Sequence, residues 1–284
     1  MLLLASALGY LFIFAAVQHL SDGFALHKIS SELAYSRARE TPCFPSEKIK
    51  EILSQKFYYL EKGSQCYVFE SEDGQHVLKF FRFSRYRLPW FAKHLLLPPF
   101  LSELQEQHLQ KKEKKLYDLL TSCKLAYKEL LEESGLVFLH LNKTSSLNQT
   151  VVLYDRLKRP FPIDIDQYEF LIQQKGEPTY SYLSKLIAAK EQNKAVKALQ
   201  DLVDALTSRF QKKIGDRDAV IHKNMGFRNG KVQYFDVGQF YMDPKVQNPS
   251  VYKEEIKNIF RPLALWLKEK DPQLALQFEY VLNE

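Results

Sequence analysis

Apolar positions cluster in three short segments of the chain, separated by polar, turn-forming residues. The segments are Phe57–Leu60, Cys66–Phe69 and His76–Phe81. Short apolar runs bounded by turn signals are typical of β-strands, and Glu-Asp-Gly at 72–74 predicts a hairpin between the second and third. Two later apolar runs, 136–141 and 150–157, predict a fourth and a fifth strand.

The remaining pattern is mostly helical. Residues 101–134 contain many helix formers and few breakers, so they predict one long helix or two shorter ones that stop at Gly135. From Asp166 onward the pattern again favours helices, most clearly at 195–213. One hairpin interrupts them, because Asn229-Gly230 stands between two apolar runs and a type I′ turn needs two residues with positive φ. The pattern predicts an α+β chain with a small five-stranded antiparallel lobe and a mostly helical lobe.

The first 17 residues, MLLLASALGYLFIFAAV, carry no charged side chain. A helix of that length is at the short end of what spans a ~30 Å hydrocarbon core. We therefore expect an apolar N-terminal helix within 1–26 that is a membrane anchor, a cleaved signal peptide or a helix docked on the domain's own surface. Basic residues slightly outnumber acidic ones after the run, which favours a cytoplasmic body, whereas signal cleavage would export it.

Composition excludes several classes of protein. Hydrophobic residues make up 45% of the chain, which is typical of a globular protein and excludes extensive disorder. A mean hydropathy of −0.32 excludes a polytopic membrane protein. Three cysteines without metal-ligand spacing indicate a reducing compartment. The net charge of +6 is concentrated between Lys79 and Lys115, so we expect a local basic patch and no nucleic-acid partner.

Two segments of the predicted small lobe carry candidate chemistry. Residues 60–68 read LEKGSQCYV, with Gly63 at the centre of a turn between two strands. Lys79 follows in the apolar strand Val-Leu-Lys-Phe, where a buried ammonium is costly unless an anion pairs with it. The alternative is an edge-strand lysine whose ammonium reaches water.

A third segment lies around the late hairpin. It contains Asp216-Arg217-Asp218, then Asn224, then Asp236-Val237-Gly238 after the Asn-Gly turn. Phosphoryl transfer needs a carboxylate near the acceptor hydroxyl, and Mg²⁺ prefers amide and carboxylate oxygens. The spacing brings two such ligands to the open ends of one hairpin. The alternatives are a turn cap for Asn224 and a surface turn for Asp236.

These motifs together resemble those of the protein kinase-like superfamily. Residues 60–68 are similar to the glycine-rich loop, although Glu61 and Cys66 replace two of its three glycines. The strand of Lys79 resembles V-A-I-K, Asp216–Asp218 resembles H-R-D with one extra residue before the asparagine, and Asp236–Gly238 resembles D-F-G. The chain resembles bacterial small-molecule, aminoglycoside and lipopolysaccharide kinases more closely than eukaryotic protein kinases. No A-P-E motif follows Gly238, which argues against a protein substrate.

The resemblance implies a bilobal kinase-like fold that uses ATP and Mg²⁺. By residue, it implies phosphate contacts for Gly63 and Lys79, a helix glutamate (Glu129) as the partner of Lys79, Mg²⁺ ligands at Asn224 and Asp236, a catalytic base at Asp218 with Asp216 as its substitute, and an adenine-binding hinge at 153–157. The implied function is membrane-associated phosphotransfer from Mg-ATP to a hydroxyl of a small molecule, sugar or lipid. The alternatives are an inactive pseudokinase-like binding module and a membrane-anchored structural protein with coincidental motifs.

The expected domain organisation follows from these elements. It consists of an apolar segment 1–26, a linker 27–50, a small lobe 51–157, and a helical lobe 158–284 containing the catalytic-loop-like hairpin 214–240. Basic and aromatic residues interleave at 85–100, within an insertion at 83–100. That composition suits an anionic lipid surface, in addition to membrane contact through residues 1–20. The alternatives are a single-stranded nucleic-acid groove and a loop packed on the small lobe.

Overall fold

The computed structural model describes residues 17–41, 46–89 and 98–283. The chain divides into two compact units. Unit 1 contains the residues up to 117 together with 137–174, and unit 2 contains 118–136 and the residues from 175 onward. The expected boundary at 157/158 therefore differs from the one at 174/175.

The secondary structure is mixed, as the sequence predicts. The strands are β1 Lys56–Lys62, β2 Cys66–Ser71, β3 His76–Phe81, β4 Leu136–His140, β5 Thr150–Tyr154, β6 Pro160–Asp164, β7 Phe170–Gln174, β8 Glu177–Pro178, β9 Ile214–Asp216, β10 Met225–Arg228, β11 Lys231–Tyr234 and β12 Phe240–Met242. The helices are α1 Leu26–Ile29, α2 Glu47–Leu53, α3 Pro99–Glu129, α4 Leu131–Ser134, α5 Thr179–Ala188, α6 Gln192–Gln211, α7 Ile221–Asn224, α8 Pro249–Lys270 and α9 Pro272–Val281. The α+β class is confirmed.

Unit 1 is built on a seven-stranded sheet in the order β4-β7-β3-β2-β1-β5-β6. All five predicted strands are present, but the predicted five-stranded antiparallel sheet is corrected in two respects. The sheet gains β6 and β7, and β1 pairs with β5 in parallel. Two prolines in β6 conceal a strand that is tolerated because it lies at the sheet edge. β7 is apolar without alternation, so its sequence does not distinguish a buried strand from a helix.

The core of unit 1 includes residues from the expected N-terminal segment and linker. Phe24 and Ile29 are 3% and 0% exposed and belong to the same core cluster as the sheet residues. The Phe24 ring lies 5.3 Å from Tyr67 and 5.1 Å from Phe69, both edge-on. α2 adds Ile49, Ile52 and Leu53 to this core. Residues 24–53 are therefore part of the folded unit where they are described, and not a free linker.

The expected N-terminal helix and the basic-aromatic insertion lie largely outside the described ranges. Residues 1–16 and 90–97 are not described. Within the described ranges, no helix combines the length and the apolar character that crossing a bilayer requires.

Unit 2 combines α5, α6, α8 and α9 with two small sheets. One sheet has the order β11-β10-β8 and the other pairs β12 with β9. The predicted Asn-Gly hairpin is confirmed, because β10 and β11 pair antiparallel and Asn229 and Gly230 have φ of 52° and 76°. A Cβ on Gly226 would lie 2.1 Å from the backbone oxygen of Glu177, so β10 packs against β8 at a distance that only glycine permits.

Candidate functional site

The aspartate expected as a substitute base, Asp216, is buried in a structural ion pair. It ends β9, and its Oδ2 lies 3.2 Å from Nη1 of Arg209 on α6. The two side chains are 5% and 1% exposed. Burial raises the pKa of Asp216, with nearby Asp236 and Asp218 adding to the effect, although Arg209 and the Asp218 amide oppose it. The carboxylate is committed to the packing of unit 2.

Asp218 has a fixed backbone and an uncommitted carboxylate. Its N–H donates to Oδ1 of Asp216 at 2.9 Å. Its carbonyl oxygen accepts from Nδ2 of Asn224 at 2.5 Å and from the N–H of Val220 at 2.9 Å. Asp218 is exposed, and its carboxylate accepts no hydrogen bond from the described residues. A carboxylate without a hydrogen-bond partner can accept a proton from a hydroxyl group that comes within hydrogen-bond reach.

Asn224 and Asp236 lie at the open end of the hairpin. The carbonyl oxygen of Asn224 accepts from the N–H of Phe235 at 2.7 Å, which extends the β10–β11 pairing by one step and places Asp236 one residue beyond that pair. Asn224 is 9% exposed. Its Nδ2 is held by Asp218, so its amide orientation is set by the same residue that carries the free carboxylate.

The Asp-Val-Gly segment is anchored by a serine of α3. Ser122 is 0% exposed, donates from Oγ to the carbonyl oxygen of Val237 at 2.6 Å, and accepts from the N–H of Phe240 at 2.6 Å. The N–H of Gly238 donates to Oδ1 of Asp236 at 2.9 Å. These bonds fix the Asp236 carboxylate from both the backbone and its own turn.

The donor set at this site fits a hard divalent cation. Neither Oδ1 of Asn224 nor Oδ2 of Asp236 accepts a hydrogen bond from the residues that the structure describes. Two such oxygens suit Mg²⁺, which keeps several waters and is commonly held by one or two protein ligands together with substrate phosphates. In the described part of the chain, no group of three or more His, Cys, Asp or Glu side chains is placed to hold a metal.

In unit 1, the turn with Gly63 is held by hydrogen bonds to its own backbone. The N–H of Gly63 donates to the carbonyl oxygen of Cys66 at 2.9 Å, and Nη1 of Arg82 donates to the carbonyl oxygen of Gly63 at 2.8 Å. Arg85 binds the carbonyl oxygen of Ser64. The Gly63 amide is therefore satisfied within the turn, so a phosphate would have to displace Cys66 to use it.

Lys79 lies on the face of β3 opposite the main core. Its neighbours Leu78 and Phe80 are 0% exposed core residues, so the two-residue period of the strand directs Lys79 to the other face. β3 lies between β2 and β7, and Lys79 pairs in register with Val68 and Leu171. The edge-strand alternative for this lysine is wrong, because β3 is internal to the sheet.

Glu129 ends α3 and belongs to unit 2. Its carboxylate lies 3.2 Å from the ammonium of its neighbour Lys128, and its carbonyl oxygen accepts from Lys212 at 3.0 Å. The ion pair of Glu129 is thus with its sequence neighbour Lys128, at the end of the same helix.

Sequence reasoning misses the buried Arg209 of unit 2. Arg209 could have been found from its spacing, because it follows Leu202 and Leu206 on the apolar side of α6 and precedes Asp216 by seven residues. Residues 153–157, expected as an adenine-binding hinge, stay a prediction. They lead from β5 into the turn before β6, whereas the chain passes from unit 1 to unit 2 after β7.

The comparisons with known proteins find matches among solved structures alone. No protein-family model and no curated protein matches the chain. Solved structures of WbdD, one of them described as a bifunctional kinase-methyltransferase, are similar in structure. One crystal structure of WbdD is 15% identical with a TM-score of 0.39, covering 79% of this chain and 45% of WbdD. Monomeric WbdD is 18% identical with a TM-score of 0.35, covering 76% and 44%. The chain thus spans less than half of WbdD.

Proposed function

We propose that the chain is a kinase-like phosphotransferase that uses Mg-ATP and an alcohol acceptor. The observation that supports this best is the arrangement around Asp218. Its backbone is held by Asp216, Val220 and Asn224 while its carboxylate is uncommitted. Two further ligand oxygens lie at the open end of the adjacent hairpin.

Asp218 is the proposed base. As an acceptor oxygen forms its bond to the γ-phosphorus, the carboxylate takes the hydroxyl proton, and the bond from that phosphorus to the bridging oxygen of ADP breaks. The exposure of Asp218 allows an acceptor to approach it from solvent. The chemical class of the acceptor, a small molecule, sugar or lipid, stays a prediction from the sequence.

Asn224 and Asp236 are the residues that would hold Mg²⁺. The ion would neutralise phosphate charge and orient the nucleotide. Lys79 is the proposed contact for the nucleotide phosphates, since it stands on an internal strand with its side chain on the face away from the main core. Gly63 is the proposed position at which the nucleotide phosphates approach the turn between β1 and β2.

A second candidate function is a nucleotide-binding module without turnover. The turn at 63–66 supports it, because the Gly63 amide is already bonded to Cys66 and arginines bind the carbonyl oxygens of Gly63 and Ser64. Such a turn cradles phosphate less well than one with three glycines.

The two candidates differ in what Asp218 does, and so Asp218→Asn separates them. We expect this variant to bind Mg-ATP as the wild type does, because the substitution keeps the backbone contacts. Its ATP turnover, measured as release of ADP with and without a panel of alcohol acceptors, should fall by roughly 10²–10⁴-fold. Wild-type protein that binds Mg-ATP and never forms ADP would establish the binding module instead.

A further inference from the structure

Five cationic side chains of unit 1 donate to backbone carbonyl oxygens of the turns at 22–23 and 63–64 and of α1. We call them the cationic patch: Lys28, Lys62, Arg82, Arg85 and Arg87. Lys62 donates to the carbonyl oxygen of Asp22 at 2.9 Å and Lys28 to that of Gly23 at 2.5 Å. Both carbonyls project from a turn in which Asp22 and Gly23 have φ of 49° and 68°.

The three arginines of the patch also bind main-chain oxygens. Arg82 donates to the carbonyl oxygen of Gly63 at 2.8 Å, and Arg85 donates to that of Ser64. Arg87 donates to the carbonyl oxygen of His27. A carbonyl oxygen fixes a cation without cancelling its charge, unlike a carboxylate. The patch therefore presents positioned positive charge.

The members of the patch are close enough to influence one another. Burial lowers the pKa of Lys28, and the charges of Lys62 and Arg82 lower it further. The pKa of His27 is lowered by burial and then by Lys28 and Arg87. The lowered pKa values of Lys28 and His27 thus indicate that cations from three separate segments of unit 1 repel one another.

Carboxylates near the patch leave most of this charge in place. Asp22 is paired with Arg156 at 3.0 Å, and Glu32 lies 3.5 Å from Arg87. Glu61 is exposed beside Lys62. Lys112 adds another cation, since its ammonium donates to the carbonyl oxygen of Arg87 at 3.1 Å.

The chain that leads into this patch is uncharged and apolar. Residues 1–16 carry no charged side chain, and the described chain begins at Val17, a few residues before the turn of Asp22 and Gly23. A cationic surface beside an apolar segment is the combination that binds anionic bilayers, where each juxtamembrane Lys or Arg contributes about 1 kcal/mol.

The geometry points to the cationic patch as a docking surface for an anionic lipid bilayer. The headgroup phosphates would meet Lys28, Lys62 and the arginines while these keep their carbonyl contacts. Arg82 and Arg85 also hold the turn of Gly63, so vesicle binding is measured without nucleotide and its failure is distinct from a failure of ATP binding.

The test uses the full chain and two vesicle compositions, phosphatidylcholine alone and phosphatidylcholine with phosphatidylglycerol. The variant Lys62→Glu/Arg85→Glu reverses two exposed charges of the patch, and Lys257→Glu/Lys270→Glu reverses two exposed charges of α8 as a control of equal charge. Wild type and control should bind anionic vesicles more tightly than neutral ones, and less so at high salt. The patch variant should bind anionic vesicles roughly 30-fold more weakly than wild type.

A second readout works even if the apolar segment alone saturates binding. Modification of the Lys62 amine by a water-soluble reagent, located by mass spectrometry, should be slowed by anionic vesicles and not by neutral ones, while Lys257 is modified equally in both. Equal binding to both vesicle types with equal modification of Lys62 would overturn the proposal. So would an equal loss in the control variant. A short single-stranded RNA that binds more tightly than the anionic vesicles, and loses binding with the patch variant, would make the partner a nucleic acid and overturn it too.

Discussion

Arg209 is the residue on which the local order around Asp218 depends. Its guanidinium is buried among the rings of Phe210, Tyr234 and Phe240, at 5.1–5.6 Å from their centroids. Its Nε and Nη2 have no hydrogen-bond partner in the described part of the chain. Its ion pair with Asp216 therefore carries most of its polar compensation, and Asp216 in turn holds the Asp218 amide.

Removing Asp216 should leave an uncompensated buried charge. We expect Asp216→Ala to lower the free energy of unfolding by about 3–5 kcal/mol. The double variant Arg209→Met/Asp216→Leu, which removes both charges, should recover most of that loss. Urea denaturation followed by circular dichroism measures both, and Glu279→Ala, which breaks an exposed pair with Lys268, is the surface control. A double variant no more stable than Asp216→Ala would refute the role given to the pair.

Glu169 gives a residue-scale prediction about pH. It is 0% exposed, its Oε1 accepts from the Ser31 hydroxyl at 2.6 Å, and its Oε2 has no hydrogen-bond partner among the described residues. Burial raises the pKa of Glu169 above its ordinary 4.5, although Ser31, Lys143 and Arg39 oppose the shift. The folded state therefore holds the proton more tightly than the unfolded state.

The sign of the pH effect follows. Stability contributed by Glu169 is fully present below pH 4.5 and is lost as the pH rises through the raised pKa. The free energy of unfolding of wild type should therefore rise relative to that of Glu169→Gln as the pH is lowered from 7 toward 5. Thermal unfolding of both proteins over that range measures the gap, and a gap that stays constant with pH would contradict the prediction.

At the scale of elements, the hairpin of β10 and β11 positions the candidate ligands. Gly226 has no room for a Cβ beside the Glu177 backbone oxygen, so Gly226→Ala must displace β10 from β8. We expect the variant to fold less stably and to lose Mg²⁺-dependent ATP binding together, because Asn224 precedes the displaced strand. Lys231→Ala, on the exposed side of β11, is the matched control. Intact Mg-ATP binding in Gly226→Ala would show that this strand does not set the site.

The segment around Phe24 is the second element with a testable role. Phe24 is 3% exposed and contacts three aromatic rings, including Phe161 at 5.5 Å. Phe24→Ala should lower the free energy of unfolding by about 3–5 kcal/mol, the usual cost of removing a buried phenyl group. Leu20→Ala, at a residue that is 53% exposed, should be nearly neutral. Chemical denaturation of the two variants measures the difference. An equal loss of stability in both would contradict the core position of Phe24.

The elements that could be predicted are those with a strong local signal. β1–β3 contain short apolar runs between turn-forming residues, Asn229-Gly230 requires positive φ, and Gly135 ends a helix with φ of 63°. What escaped prediction depends on distant packing. The two prolines of β6 argue against a strand in the sequence, and they are tolerated because β6 lies at the sheet edge. β7 is identified as a strand only by its pairing between β3 and β4.

The candidate site shows the same division. The sequence identifies Asp218, Asn224 and Asp236 by type and spacing, since the chemistry restricts which residues can serve. It does not distinguish Asp216 from Asp218, because the difference between them is the buried Arg209 contact. The role of Ser122 could not be predicted either, because its hydrogen bond to the carbonyl oxygen of Val237 joins residues more than a hundred positions apart in the sequence.

At the scale of the whole molecule, the interpretation draws on both units. Gly63 and Lys79 belong to unit 1, and Asp218, Asn224 and Asp236 belong to unit 2. The central claim is that the chain binds Mg-ATP. Each candidate contact is tested by a substitution of its own.

Calorimetric titration of ATP, with and without Mg²⁺, into four variants is the most direct test. Lys79→Met and Asp236→Asn should each weaken Mg-ATP binding at least about tenfold, because each loses a charged contact to phosphate or metal. Lys56→Met and Glu254→Gln, which change exposed residues of the same charge type, should bind as wild type does. Wild-type affinity in both Lys79→Met and Asp236→Asn, or no Mg²⁺-dependent ATP binding in folded wild type, would contradict the account.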